Sequence, residues 1–134
     1  MKEIDKKFKI PDDKEVFFYV DLVKPENFEP DFQLKENEEF DFNKIDSDKS
    51  CAVNNPRDCL SLYTMNVSEG YVWKLRANSN ASGRIGVTYG QQVGYGDTTT
   101  NTITIAPGQI RDLGYGQFGS GDRRRVWIIS AWWD

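Results

Sequence analysis

The chain of 134 residues contains no histidine. The usual general base near neutral pH is therefore missing, and with it the Ser-His and Cys-His pairings of nucleophilic catalysis. Only two cysteines are present, Cys51 and Cys59, which is too few for a disulfide scaffold or a cysteine zinc site. Long apolar runs are missing too. None approaches the roughly 18 residues of a membrane helix, and the start, Met1 to Lys7, lacks the apolar stretch of a signal peptide. On this reading the chain stays in the cytoplasm, leaves by another route, or has lost a leader. A cationic excess is also absent: the net charge is −4, which argues against nucleic-acid binding.

The acids that are present make poor catalysts and poor metal ligands. Asp12-Asp13 and Glu38-Glu39 sit in a highly charged stretch, where a raised carboxyl pKa is not expected. Asp46-Ser47-Asp48 lacks the glycine and the distal glutamate of a calcium loop. The expectation is a protein that is not an enzyme and uses no cofactor and no metal.

What the chain does contain divides at Cys51. Nine of the ten lysines and seven of the eight phenylalanines come before it; all seven arginines and all four tryptophans come after it. Residues 1–50 hold 15 acids against 9 bases, net −6, and residues 51–134 hold 6 against 8, net +2. The expected organisation is a single domain. Residues 1–50 form an acidic, Phe-rich amino-terminal strand and arm packed on a β core of residues 51–134.

Within the arm, Glu15–Val23 is β-branched and aromatic on both faces, the pattern of a doubly buried strand. From Pro25 to Ser50 phenylalanines (Phe28, Phe32, Phe40, Phe42) interleave with acids without a helical period, and one short strand is expected near Glu38–Asn43. Cys51 and Cys59 enclose a turn-forming stretch. A disulfide there would contribute about 2.5 kcal/mol in the chain-entropy model, and two reduced thiols are the alternative.

After the cysteines the strand signals sharpen. Leu60–Val67 is followed by the turn Ser68-Glu69-Gly70. Tyr71, Trp73, Leu75 and Ala77 then alternate with Val72, Lys74 and Arg76. Ile85, Val87 and Tyr89 mark the inward face of the next strand, and Thr98–Ala106 is another. Ala106-Pro107-Gly108-Gln109 has the residues of a type II turn, leading into Ile110–Tyr115. Arg124–Trp133 is apolar on both faces, as a central strand would be. Short strands at regular spacing predict an all-β fold. An antiparallel β-sandwich, of jelly-roll or Ig-like topology, is favoured over a small β-barrel.

An internal echo is the strongest functional lead. Tyr89-Gly-Gln-Gln-Val-Gly-Tyr-Gly-Asp97 and Tyr115-Gly-Gln-Phe-Gly-Ser-Gly-Asp122 share a Tyr-Gly-Gln start and a Gly-Asp end. Glycines let a backbone turn sharply and approach a ligand, and aromatic rings offer stacking surface. The plain alternative is a pair of glycine-bulged hairpin loops whose rings cap the core edge. The literal G-x-G-x-x-G at Gly114–Gly119 lacks the helix that a dinucleotide site requires. Arg123-Arg124-Arg125 suits anionic groups, or pairs with the acidic arm. Trp132 and Trp133 should point to opposite faces. Thr98–Thr102 belongs to a hairpin, residues 84–105, that reads first as a polar edge. A membrane β-hairpin formed on oligomerisation is the rarer reading. Two glycosylation sequons begin at Asn66 and Asn80, a motif too frequent to carry weight.

These readings converge on a lectin-like or toxin-like binding protein whose partner is a glycan, a membrane surface, a small ligand or another protein, and not nucleic acid. Tyr89, Tyr95, Tyr115, Phe118, Arg123 and Trp133 are the expected ligand-binding residues. The alternative is a protein–protein factor, an inhibitor, immunity-type or virion component, working through the acidic arm.

Overall fold

The computed structural model describes residues 16–19, 29–48, 51 and 53–134, and β1 is described by its backbone alone. The elements in chain order are β1 (Val16–Tyr19), β2 (Gln33–Leu34), α1 (Phe42–Asp48), a 3-10 turn (Pro56–Cys59), β3 (Leu60–Val67), β4 (Gly70–Ala77), β5 (Ile85–Val93), β6 (Thr99–Ile105), β7 (Ile110–Phe118) and β8 (Arg124–Trp133). The fold is all-β, in two four-stranded sheets ordered β1-β8-β5-β6 and β2-β3-β4-β7. Neither sheet closes on itself among the described strands. All pairings are antiparallel except β2 with β3.

The alternation in the sequence explains the core. Leu60 and Leu62 of β3 and Trp73, Leu75 and Ala77 of β4 belong to one buried cluster with Ile85, Val87 and Tyr89 of β5 and Val126 and Ile128 of β8. Strands of both sheets therefore contribute to one shared core. β8, apolar on both faces, lies between β1 and β5 as expected of a central strand. The turn after β6 is type II as its residues dictate: Gly108 sits at φ +77°, and the Gln109 amide donates to the Ala106 carbonyl at 3.0 Å. At the β3–β4 turn the glycine answers a different need. A Cβ on Gly70 would lie 1.9 Å from the Gln117 carbonyl oxygen, so the close approach of β7 requires glycine there.

β-Bulges change which residues share a face. In β8 the register shifts opposite Thr88 and Tyr89, so Trp127 and Trp132, five residues apart, both lie on the face away from the core. They seat across two glycines of β5: an added Cβ would meet the Trp132 indole at 2.3 Å from Gly86 and the Trp127 indole at 2.7 Å from Gly90. Both tryptophans are buried.

The arm differs from expectation in one element. Residues 38–43 do not form a strand. A short helix, α1, begins at Phe42, and the arm's short strand is Gln33–Leu34. Asp41 is the reason, because its carboxylate accepts the Asn43 and Lys44 amides at 3.1 and 3.3 Å, as a helix N-cap does. Phe32 then stacks between Phe40 and Tyr63, with ring centroids 4.7 and 4.6 Å away, and Phe42 packs against Tyr63. Asp46 forms a two-pronged pair with Arg76 at 2.6 and 3.0 Å, and the same guanidinium lies 4.6 Å over the Phe42 ring. Arg76 holds Asp46 below its usual carboxyl pKa, against the opposing effect of burial. The remainder of the Glu15–Val23 strand expectation, Phe28 and the amino terminus lie outside the described residues. Cys51 and Cys59 are joined by a disulfide.

Candidate functional site

The two echoing segments turn in the same way, in a register that the Tyr-Gly-Gln start conceals. The matching units are Gln92-Val-Gly-Tyr-Gly-Asp97 and Gln117-Phe-Gly-Ser-Gly-Asp122. Gly94 and Gly119 lie at φ +56° and +59°, and the residues after them, Tyr95 and Ser120, keep negative φ. That is the φ signature of a type II′ turn, which needs glycine at its first central position. Each turn closes identically. The Gly96 amide donates to the Val93 carbonyl at 2.9 Å, and the Gly121 amide to Phe118 at 3.0 Å. Each is then clamped by its glutamine: Gln92 Nε2 donates to the Gly96 carbonyl at 2.8 Å, and Gln117 Nε2 to Gly121 at 2.9 Å.

Three turns meet at this end of the sheets. The Gly119 amide donates to Glu69 of the β3–β4 turn at 2.6 Å, and the Gly94 amide donates to the Arg123 carbonyl at 2.7 Å. Arg125 reaches the Gly94 carbonyl at 3.2 Å. The backbone of the rim is thus tied together, while its side chains project. Tyr95 is 99% exposed, Phe118 53%, Val93 50% and Tyr115 48%. Simple alternation would set Tyr115 and Phe118 on opposite faces. The extra residue Gly116 in β7 brings them to the same one, where their rings meet edge to face at 5.0 Å. Only glycine fits the bulge, since a Cβ there would lie 2.1 Å from the Tyr71 ring.

The arginines behind the rim are held by it. Arg123, itself exposed, donates to the Tyr71 hydroxyl at 3.2 Å. Arg124 donates to Gln91 Oε1 at 2.7 Å and to the Tyr115 carbonyl at 3.1 Å. Burial lowers the Arg124 pKa, although arginine remains charged at any ordinary pH. The described part of the arm is tied down by other cations: Arg76 with Asp46, and Arg57 with Asp31 at 4.0 Å.

Of the six residues expected to bind ligand, Tyr95, Tyr115, Phe118 and Arg123 lie at this end. Tyr89 and Trp133 do not. Tyr89 is only 7% exposed and belongs to the core cluster, because β5 continues through the first echo to Val93 and turns its ring inward. Trp133 closes the far end of β8, on the order of 30 Å along the strand from Arg124. There it packs against the core and donates from Nε1 to the Val53 carbonyl at 2.5 Å. Val93 was missed; its signal was its position beside Gly94, matching Phe118 beside Gly119.

Two other expectations meet specific geometry. The 84–105 hairpin is not an appendage, because β5 pairs with β8 from Ile85 to Val93. No helix among the described residues is long and apolar enough to cross a membrane, and no described group of acids and cysteines could hold a metal ion. No family model, curated protein or solved structure matches the chain.

Proposed function

We propose that the protein is a non-catalytic binding module, a β-sandwich that engages its ligand with the rim formed by the two II′ turns. One observation carries this reading. Four of the six large hydrophobic residues exposed among the described part of the chain, Val93, Tyr95, Tyr115 and Phe118, gather on clamped turns or a bulge at one end. Scattered apolar residues need no explanation, but a cluster on a rigid rim suits a binding surface. Rigid rings lose little entropy on binding and offer flat apolar faces to a sugar, a bilayer interface or a protein. Arg123 beside them supplies donors for hydroxyl or anionic groups. The described arm residues pack on β3 and β4 and leave Tyr95 uncovered.

The test pairs a glycan array with flotation on zwitterionic and anionic liposomes, using the full chain. Tyr95→Ala and Phe118→Ala should each weaken the binding found by about 1–3 kcal/mol, with unchanged thermal unfolding. If both lower the melting temperature sharply and leave affinity intact, the rings are structural and the reading is wrong.

A further inference from the structure

On the premise that the turn rim is the binding surface, its shape and its charges identify the partner. Tyr95 is 99% exposed, so nothing stands around its ring, and Val93, Tyr115 and Phe118 project beside it. A small molecule needs walls that bury most of its surface. Tyr115 and Phe118 meet edge to face at 77°, so the pair offers no slot of parallel faces for a sugar or another flat ligand. Val93 adds an aliphatic side chain with neither a ring face nor a polar atom. This mixture suits a bilayer interface. Tyrosine sets its ring among the acyl ends and its hydroxyl among the head groups, while phenylalanine and valine favour the apolar side.

The charges fit a zwitterionic surface. Glu69, Asp97, Asp122 and Arg123 are exposed on these turns, and Arg124 and Arg125 lie half-buried behind them. Three acids offset three arginines, so the rim carries no net charge to draw it to an anionic membrane. One cation is placed for a phosphate. Arg123 donates from Nε to the Tyr71 hydroxyl, and its two Nη atoms have no partner among the described residues. A guanidinium with a free fork beside interfacial rings matches a lipid phosphate. The backbone is already fixed by the Gly119–Glu69 and Gly94–Arg123 hydrogen bonds, so seating the rim requires no ordering of its turns.

We propose that the rim seats on the zwitterionic surface of a phospholipid bilayer. Val93, Tyr95, Tyr115 and Phe118 enter the acyl boundary, and Arg123 contacts a phosphate. The two sheets stay intact above the head groups.

The experiment is co-sedimentation of the full chain with phosphatidylcholine vesicles, alone and with added phosphatidylserine. With no acyl anchor, binding should be weaker than the roughly 10⁴ M⁻¹ of a single myristoyl chain, so lipid is taken to roughly 10 mM. Tyr95→Ala and Phe118→Ala should each weaken vesicle binding about tenfold. Arg123→Gln should weaken it about fivefold, the worth of one hydrogen bond, and all three variants should unfold at the wild-type temperature. Raising salt from about 0.1 to 1 M cuts the Debye length from about 10 to 3 Å and should leave phosphatidylcholine binding unchanged. Asp97→Asn should improve binding to the phosphatidylserine vesicles about fivefold, the effect of one charge at an anionic surface, and leave phosphatidylcholine binding alone. No sedimentation with phosphatidylcholine, or binding that salt abolishes, overturns the inference. If Tyr95 is then needed for a hit on the glycan array or for a protein partner, the rim remains the binding surface and only the bilayer is wrong. Vesicle binding that both alanine variants retain in full overturns the two together.

Discussion

Single side chains decide how the arm is held. The pair of Asp46 with Arg76 is the clearest case, since both are buried and the guanidinium also caps the Phe42 ring and reaches Ser79. Removing one partner of such a pair strands the other, so Arg76→Ala should cost about 3–5 kcal/mol. The pair also sets a pH dependence. The folded pKa of Asp46 lies below its ordinary value of 3.8, so its contribution is fully present above that pH. It is lost as pH falls from there through the depressed folded value. Denaturant unfolding of the wild type between pH 5 and pH 2 should therefore show stability falling with acid, and Asp46→Asn should flatten part of that slope. An unchanged slope in the variant would mean that other carboxylates carry the acid sensitivity. Tyr63, whose pKa burial raises, stays neutral throughout this range.

At the scale of elements, the two II′ turns are built alike but are not equally tolerant. Gly94 and Gly119 share a positive φ, so an alanine at either should cost about 1–3 kcal/mol in backbone strain. Their surroundings differ. A Cβ on Gly119 meets nothing within 4 Å, whereas on Gly94 it would come within 3.1 Å of the Asp122 carboxylate. Gly94→Ala should therefore be the more destabilising of the two when their denaturant midpoints are compared. Equal losses would show that strain alone governs both turns. The bulges act at this scale too. One extra residue in β7 places Tyr115 beside Phe118, and one in β8 sets Trp127 and Trp132 on a common face.

Taken whole, the molecule lays the described part of its acidic segment over β3 and β4. Phe32 and Phe42 pack against Tyr63, a ring with no exposure at all, and Phe40 stacks on Phe32. A protein lacking residues 1–43 would uncover that ring, lose β1 from the edge of its sheet and lose β2 from the other. It should be recovered aggregated or unfolded, as judged by size-exclusion chromatography and near-UV circular dichroism. A soluble truncation with a cooperative melt would show that residues 44–134 fold alone.

Much of this architecture was legible in the sequence because it rests on local chemistry. Period-2 alternation marks β4 and β5, proline and glycine dictate the turn at Ala106–Gln109, and a strand apolar on both faces announces the central position of β8. α1 was hidden. Asp41 is a recognisable cap, but seven residues among acids and phenylalanines give no sustained helical period. The repeated glycine turns were visible as an echo, and their true register was not, since Tyr89 and Tyr115 match in letters but not in place. Alternation depends on an unbroken count along the strand, and a bulge breaks that count only through pairing with a neighbour. For that reason the sequence determined the strands and the turn residues, and tertiary pairing alone decided which rings reach the surface together. The same holds for Tyr89 and Trp133. Their letters suit a binding site, but burial in the shared core and distance along β8 removed them from it.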